Sequence, residues 1–111
     1  MISSGKYLHT QHCHNETPPE LLNKELINDY LKELPEWDYS IEKRNISRHF
    51  SFKDYHETLA FIYATASVIH QENHHPNITF GYNNCTVSFT THSADGITLN
   101  DFICAAKIDQ I

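Results

Sequence analysis

The stretch that decides the fold is residues 74–92, HHPNITFGYNNCTVSFTTH. Apolar side chains recur at every second position on either side of Asn83-Asn84: Ile78, Phe80 and Tyr82, then Cys85, Val87 and Phe89. This period of two predicts two strands, each with one buried face. Asparagine tolerates a positive φ, so Asn83-Asn84 suits a two-residue turn between the strands. The stretch therefore predicts an antiparallel hairpin.

The elements on either side of this hairpin are predicted to be helices. Asp54, with Glu57 three residues later, is typical of a helix start, and Pro76 stops the helix after about residue 72. Its predicted buried face, which we expect to pack centrally, is Tyr55, Leu59, Ile62, Ala66 and Ile69, broadened by Phe61 and Val68. After the hairpin, Thr98 is predicted to cap a last helix. The predicted buried stripe of that helix is Leu99, Phe102, Ile103 and Ala106.

The chain before Asp54 predicts one more helix and one more hairpin. Thr17 and Glu20 fit a capping box at the start of the helix, and Pro35 ends it. Residues 37–41 and 45–52 alternate between apolar and polar side chains and are predicted to pair.

The predicted order of elements is α-β-β-α-β-β-α. Paired strands with tight connections predict an α+β domain over residues 17–111, a four-stranded antiparallel sheet with three helices on one face. The other face and both edges of such a sheet are left uncovered. We therefore expect a homo-oligomer, in which a second copy covers them.

Residues 1–16 show no periodicity and are predicted to be a poorly ordered leader. The segment HTQHCHN within it could bind a metal through His9, His12, Cys13 and His14, but its spacing matches no known module, so a solvated tail is favoured. The three cysteines, Cys13, Cys85 and Cys104, are odd in number and far apart in the sequence. This spacing favours reduced thiols over a disulfide framework.

Composition limits the classes of function. The chain has 111 residues, of which 40% are hydrophobic and 20% charged, as in a soluble single domain. No run approaches the ~20 apolar residues that span a bilayer, and the N-terminus lacks a signal-peptide core, so we expect a cytoplasmic protein with no membrane partner. The net charge is −6 and the eight Lys and Arg residues are scattered. Nucleic-acid binding is therefore not expected.

Three histidines are predicted to converge at one end of the sheet. The hairpin turn places His75 opposite His92, with His74 beside them. They could be surface or cap residues, metal ligands, or acid/base groups. A zinc site would use His70 and His74, spaced i, i+4, with His92 as a third ligand. However, Gln71 replaces the Glu that acts as base in such hydrolases, which favours metal-free acid/base chemistry.

Residues 70–102 resemble the signature of the pterin-4a-carbinolamine dehydratases. The matching positions are His70, His74-His75-Pro76, Tyr82, His92 and Asp101-Phe102. Upstream, LPEWDYS (residues 34–40) and ISRHFSFKDYHETLAFI (residues 46–62) are similar to two further segments of the family, so the likeness covers roughly residues 18–109. Many members have Glu where His70 stands and Trp where Phe102 stands. A role for a carboxylate at residue 70 is therefore lost or changed.

The resemblance implies dehydration of a 4a-hydroxytetrahydropterin to a quinonoid dihydropterin and water, which recycles the tetrahydropterin cofactor of other enzymes. It implies a dimer or tetramer that needs no metal or cofactor of its own. It assigns catalysis to His74, His75 and His92. The other residues that it places at the substrate are Pro76, Thr91, Ser93, Asp101 and Trp37, with His70 in support.

The resemblance also implies partners. An aromatic amino-acid hydroxylase would supply the pterin substrate. Family members in animals also act as dimerisation partners of a transcription factor, so a protein-interaction module is the alternative to an enzyme. Three converging imidazoles favour the enzyme, because a scaffold has no need of them.

Several roles stay open at this point. Asp101 could orient an imidazole, or it could cap the last helix, since it lies three residues after Thr98. Trp37 could line the pterin slot or anchor the core, and Tyr82 is expected to serve packing. Which histidine acts as acid and which as base is also open.

Overall fold

The helices and strands follow the predicted order, with one short helix added near the N-terminus. The computed structural model describes residues 5–14 and 19–111. The helices are α1 (Gly5–Leu8), α2 (Lys24–Glu33), α3 (Tyr55–Glu72) and α4 (Leu99–Ile108). The strands are β1 (Asp38–Ser40), β2 (Asn45–Ser51), β3 (Asn77–Phe80) and β4 (Asn84–Phe89), and His92–Ala94 forms a 3₁₀ turn. The prediction of an α+β fold in the order α-β-β-α-β-β-α is confirmed from α2 to α4.

The four strands form one antiparallel sheet in the order β1-β2-β4-β3, with both predicted hairpins joined by pairing of β2 with β4. The inward face of this central ladder carries Ile46, Phe50, Cys85, Val87 and Phe89. The opposite face carries Ser47, His49, Ser51, Thr86 and Ser88. The helices therefore cover one face. The other face is polar and can meet water without a second copy to cover it.

The register of the β3–β4 hairpin differs by two residues from the predicted one. Ile78 pairs with Val87, and a backbone bond of 3.0 Å from Gly81 N to Asn84 O closes the turn. Asn84 lies in β4 rather than in the turn, because it also takes part in the ladder with β2. Continued along the strands, this register places residue 90, not residue 92, opposite His75.

The start of α2 lies later than predicted. The helix begins at Lys24, and the Asn23 side chain caps it by accepting a bond of 2.8 Å from Leu26 N. Leu22 is not helical, because its amide donates to the Ile97 carbonyl at 2.9 Å. The predicted cap at Thr17 lies outside the described residues. The predicted end of the helix before Pro35 agrees with the structure.

The apolar face predicted for α3 agrees only in part with the face that the structure buries, since Phe61 is buried and Ile62 and Val68 pack against the core. The buried residues are Thr58, Phe61, Thr65 and Glu72, whereas Tyr55 and Leu59 are exposed. The helix is apolar on more than one side, so periodicity could not select the face. Thr58 can be buried because its hydroxyl donates to the Tyr82 carbonyl at 3.0 Å. The central helix is instead α4, which is buried over most of its length.

Residues 5–14 are packed against the domain in this structure, whereas the sequence predicted a poorly ordered leader over residues 1–16. Helix α1 contacts α2 and α4, and Leu8 is fully buried. Residues 9–14, the N-terminal strap, continue from it, and Lys107 Nζ donates to the His9 carbonyl at 2.7 Å. These contacts join residues far apart in the chain, so no local pattern could reveal them. The rest of the leader, residues 1–4 and 15–16, lies outside the described residues.

Glu72 is the main anchor of the strap. Its side chain is 2% exposed and accepts a bond of 2.7 Å from the Cys13 amide, while His12 Nδ1 lies 2.9 Å and Lys107 Nζ 3.9 Å from its Oε2. Burial alone would raise the pKa of Glu72, but the Cys13 amide, His12 and Lys107 together lower that pKa below its ordinary value of 4.5. The ionised carboxylate therefore stabilises the folded chain.

We expect Glu72→Gln to lower the free energy of unfolding by about 1–3 kcal/mol near neutral pH, because buried bonds to a charged group are lost. A carboxylate whose folded pKa is lowered contributes stability above its unfolded pKa and loses that contribution as pH falls through the folded pKa. Urea unfolding at about pH 7, 5 and 3 should show the gap between wild type and variant shrinking below about 4.5. The exposed Glu36→Gln is the control, and a gap that does not change with pH would contradict this account of Glu72.

Exposed aromatic and aliphatic side chains form a continuous surface on α3 and β3, the α3 stripe: Tyr55, Leu59, Tyr63, Phe80 and Tyr82. The ring of Tyr55 lies 6.4 Å from that of Phe80 and 6.3 Å from that of Tyr82. Tyr63 is 83% exposed. A contiguous apolar surface of this kind is typical of an interface. The predicted homo-oligomer therefore has its best support here rather than on the polar face of the sheet.

We expect light scattering at micromolar concentration to report a dimer or tetramer. Tyr63→Lys should lower the measured mass, because it places a charge at the most exposed point of the stripe. A lysine at the exposed Asn28, on α2, serves as the matched control. A wild-type protein that stays monomeric would contradict the prediction.

Within residues 5–14 and 19–111, no helix has the length and apolar character that crossing a bilayer requires.

Candidate active site

A cavity of about 360 Å³ opens where α3 and β4 end. Its walls are His14, Pro19, Asn73, His74, His75, Thr90, Thr91, His92, Ser93 and Asn100. The structure thus brings together the three histidines that the sequence predicted to converge, although the hairpin register is not the one used to predict it. His92 reaches the cavity because the chain turns back after β4 in the 3₁₀ turn that His92 begins.

The C-terminus of α3 directs two histidines into the cavity. Asn73 caps the helix in the left-handed conformation, with φ 51° and ψ 41°, and its amide donates to the Ile69 carbonyl at 2.9 Å. The chain therefore leaves the helix axis at Asn73, so that His74 and His75 line the cavity. His70 stays on the last turn of the helix, exposed and away from the cavity walls. The helical i, i+4 pairing of His70 with His74, considered above for zinc, is therefore not formed.

His74 is the most constrained of the three histidines. Its Nε2 lies 2.6 Å from Oδ1 of Asp101, and its side chain is 14% exposed. The imidazole also stacks on Phe89, with 5.9 Å between ring centroids and 7° between planes. A bond at one edge and a stack on one face leave the ring little freedom to rotate. His74 is therefore held in a single orientation at the cavity wall.

The sequence allowed two roles for Asp101, capping α4 or orienting an imidazole, and the structure shows the contacts of both. One oxygen, Oδ1, binds His74, and the other, Oδ2, accepts from the Thr98 amide at 2.9 Å and from the Thr91 hydroxyl at 2.8 Å. The Thr91 and Thr98 hydroxyls lie 2.8 Å apart. The carboxyl group is fully buried, so these bonds replace the water it has lost. Asp101 thus caps α4 and orients His74 at once.

His75 and His92 stand at the opening of the cavity and are exposed. The segment that carries His92 and Ser93 is closed by a bond of 2.9 Å from Thr91 N to Gly96 O, with Asp95 in the left-handed conformation at φ 54°. This closed loop keeps His92 and Ser93 beside the end of β4. The interior wall of the cavity therefore carries a fixed imidazole, and its mouth carries two that solvent can reach.

Three of the residues expected at the substrate, Trp37, Pro76 and Asp101, do not line the cavity, and Asp101 contacts the cavity wall through His74. Trp37 is 3% exposed and lies in the core, where its Nε1 donates to Asp109 at 2.9 Å and its ring lies 6.0 Å from Phe89. The structure thus places Trp37 at the core anchor that was its alternative. Pro76 is half-buried beside the cavity residues without being one of them.

Five cavity residues were not predicted: His14, Pro19, Asn73, Thr90 and Asn100. Asn73 had a readable signal, because asparagine before an extended segment is a common left-handed helix cap. His14 had none, since only long-range contacts bring the strap to the cavity.

Within the described ranges, no group of three or more His, Cys, Asp or Glu side chains is arranged so that it could hold a metal ion. This statement includes the described leader residues His9, His12, Cys13 and His14.

The family model described as pterin 4 alpha carbinolamine dehydratase matches residues 20–111. The chain belongs to this family. The resemblance seen in the sequence is thereby confirmed, and the matched region contains every cavity residue except His14 and Pro19.

Curated relatives of the dehydratase family support the same assignment. A protein of Hydrogenovibrio crunogenus, named "Putative pterin-4-alpha-carbinolamine dehydratase", is 52% identical over 85 residues, which are 77% of this chain and 75% of the relative. A protein of the same name from Legionella pneumophila strain Corby is 46% identical over 106 residues and 94% of both chains.

Two solved structures of dehydratase-like proteins share the fold. A transcriptional coactivator/pterin dehydratase from Brucella melitensis has a TM-score of 0.78 at 30% identity, covering 82% of this chain and 97% of its own. A pterin dehydratase-like protein identified as a RuBisCO assembly factor in the alpha-carboxysome has a TM-score of 0.58 at 25% identity, covering 68% and 87%. The fold thus occurs in proteins described by different activities.

We expect Asp101→Asn to lower Tm, because an amide nitrogen would replace an acceptor that faces donors on Thr91, Thr98 or His74. A buried polar mismatch costs about 1–3 kcal/mol, and each kcal/mol shifts Tm by about 4–8 °C in a domain near this size. Thr98→Ala is the matched variant, since it removes one hydroxyl and leaves the Asp101–His74 bond in place. Thermal unfolding by circular dichroism compares them, and an unchanged Tm for Asp101→Asn would show that the network contributes little.

Proposed function

We propose that this protein dehydrates a 4a-hydroxytetrahydropterin to a quinonoid dihydropterin and water. The observation that carries the proposal is the oriented imidazole of His74, bound to Asp101, in one cavity with His75 and His92. Membership of the dehydratase family supports the substrate class. The cavity volume of about 360 Å³ falls in the range of small-molecule sites.

The reaction needs two proton transfers and no redox step. The bond from C4a to the hydroxyl oxygen breaks, and that oxygen takes a proton to leave as water. A ring N–H gives up its proton, and its electrons form the C=N bond of the product. Hydroxide is a poor leaving group, so an acid must act at the oxygen while a base acts at the nitrogen. Imidazole suits both tasks near neutral pH, because its unperturbed pKa is about 6.5.

The Asp101 contact supports a base role for His74. A carboxylate accepts hydrogen bonds, so the neutral His74 ring carries its proton on Nε2 and its lone pair on Nδ1. His74 can then accept a proton at Nδ1 while Asp101 stabilises the imidazolium that forms. The general acid is then His75 or His92, which stand at the mouth where solvent can return their protons. No metal has a place in these steps, since both proton transfers are made by side chains.

Two wider roles belong to the same proposal. The dehydratase would recycle the tetrahydropterin that an aromatic amino-acid hydroxylase consumes, in the cytoplasm. A homodimer or homotetramer formed through the α3 stripe would leave the cavity at the other end of the helix open.

A protein-interaction module is the second candidate function. It is favoured by the structural likeness to a dehydratase-like RuBisCO assembly factor and by the exposed α3 stripe. A pure scaffold would be indifferent to the loss of all three cavity histidines. The kinetic experiment below therefore separates the two functions.

We expect His74→Ala, His75→Ala and His92→Ala each to lower kcat on chemically generated 4a-hydroxytetrahydropterin. Acid and base groups typically contribute about 10²–10⁴-fold, and a residue that only binds the pterin should instead raise KM. His75 and His92 can substitute for one another at the mouth, so their double variant should cost less than the product of the single losses. Stopped-flow absorbance of the quinonoid product measures these rates.

Controls keep this test specific. His56→Ala removes an exposed histidine on the first turn of α3, far from the cavity, and should keep full activity. Activity lost to a chelator and restored by zinc would replace the acid/base mechanism with a metal mechanism. Full activity in all three cavity variants would place the site elsewhere.

A further inference from the structure

The N-terminal strap, residues 9–14, lies outside the region that matches the dehydratase family, yet it reaches the cavity. The family match begins at residue 20, whereas His14 is one of the cavity walls. The side of the site that His14 forms therefore lies before the residues that the family model matches, although the Legionella pneumophila relative aligns over 94% of this chain. The contacts of the strap show how firmly that side is held.

His14 is fixed through its backbone by one side chain of α4. Its amide donates to Oδ1 of Asn100 at 3.0 Å, and its carbonyl accepts from Nδ2 of the same residue at 2.7 Å. Such a reciprocal pair ties both peptide groups of His14 to the first turn of α4. Asn100 lies directly before Asp101, the residue that orients His74. The strap and the proposed base are thus positioned by adjacent residues.

Cys13 attaches the strap to both helices that border the cavity. Its amide donates to Glu72 on α3, and its Sγ lies 3.4 Å from Sγ of Cys104 on α4. The bond with the Cys13 thiol, together with burial, raises the pKa of Cys104, so Cys104 meets Cys13 as a neutral thiol. All three cysteines are free, as predicted, and Cys13 on the strap contacts Cys104 on α4.

The imidazole of His14 is left available for a ligand. The side chain is exposed and makes no hydrogen bond to another described residue, although the backbone on both sides of it is held. Ordering a backbone costs about 1–2 kcal/mol per residue, so a held backbone with an unoccupied ring is pre-organised for binding. A flat heteroaromatic ring offers an imidazole both a stacking face and hydrogen-bonding edges.

We propose that His14 is a pterin-binding residue, a fourth imidazole that the strap places against the substrate. This inference rests on the proposed function and adds to it a residue from outside the family-matched domain. His14 takes no part in the proton transfers, which His74 and one mouth histidine complete. Its loss should therefore weaken binding and leave the chemical step unchanged.

The test compares His14→Ala with His9→Ala. His9 lies on the same strap, and its contact with Lys107 is made by its backbone carbonyl, so its side chain can be removed without releasing the strap. Titration calorimetry with 7,8-dihydropterin, a stable relative of the product, measures Kd, and the dehydratase assay measures KM and kcat. One lost hydrogen bond or stack is worth about a two- to tenfold change. We expect Kd and KM to rise by that factor in His14→Ala alone, with kcat unchanged.

A double-mutant cycle of His14→Ala and Asn100→Ala tests whether the strap contributes to pterin binding through the His14 side chain. If Asn100 serves binding by holding His14, then adding Asn100→Ala to His14→Ala should raise Kd no further than His14→Ala does. His14→Gln, which keeps a hydrogen-bonding group, should recover part of the affinity. Thermal unfolding of each variant confirms that the domain is folded.

Failure of the inference and failure of the proposed function give different results. Wild-type protein that binds dihydropterin and dehydrates the substrate, with His14→Ala matching it in Kd and KM, overturns the inference alone. An equal loss in His9→Ala also overturns it, because the strap would then act only as a structural support. Wild-type protein that neither binds dihydropterin nor dehydrates the substrate overturns the proposed function, and the inference falls with it.

Discussion

A buried carboxyl group holds the end of this fold together. Asp101 is fully buried, and a carboxylate without partners in that position would cost several kcal/mol. Its two oxygens bind three segments: the residues just after β4 through Thr91, the start of α4 through Thr98, and the segment after α3 through His74. Any shift of one segment leaves a buried acceptor unpaired. The cost of that loss helps to hold the cavity residues in place.

The same constraint links stability to chemistry. The bond that satisfies Oδ1 also sets the tautomer and orientation of His74, so a change in that orientation would also break a buried contact. Glu72 plays a parallel part at the end of α3, where its buried carboxylate is paired with the strap. Two buried carboxylates, one from each flanking helix, thus position what lines the cavity between them.

Local signals in the sequence predicted much of this arrangement. Asp54 and Thr98 marked the starts of α3 and α4, because a cap is a matter of three or four neighbouring residues. The alternation of Ile78 to Phe89 predicted a hairpin, but not its register, which also depends on how Asn84 pairs with β2. The predicted buried face of α3 was wrong at Tyr55 and Leu59 for a similar reason. An all-round apolar helix takes its orientation from its neighbours, and the sequence of the helix alone does not contain them.

The packing of the strap and the double role of Asp101 could not be predicted from the sequence. Contacts such as Cys13 with Cys104, 91 residues apart, leave no periodic trace, so a short segment rich in histidine looked like a solvated tail. The local signal at Asp101 allowed either a cap or an orienting carboxylate. The structure contains both contacts, because a carboxylate has two oxygens that can bind two partners at once.

The separation of the cavity from the α3 stripe bears on how one fold can have different activities. Tyr63, on the stripe, and Asn73, on the cavity wall, are ten residues apart, about 15 Å along a helix that rises 1.5 Å per residue. Substitutions on the stripe can therefore change what the protein binds without moving a cavity histidine. A dehydratase-like assembly factor and a coactivator/dehydratase with the same fold are consistent with such a division. In this chain the cavity keeps its oriented imidazole, and for that reason we argue for chemistry at that end of α3, whatever partner the stripe takes.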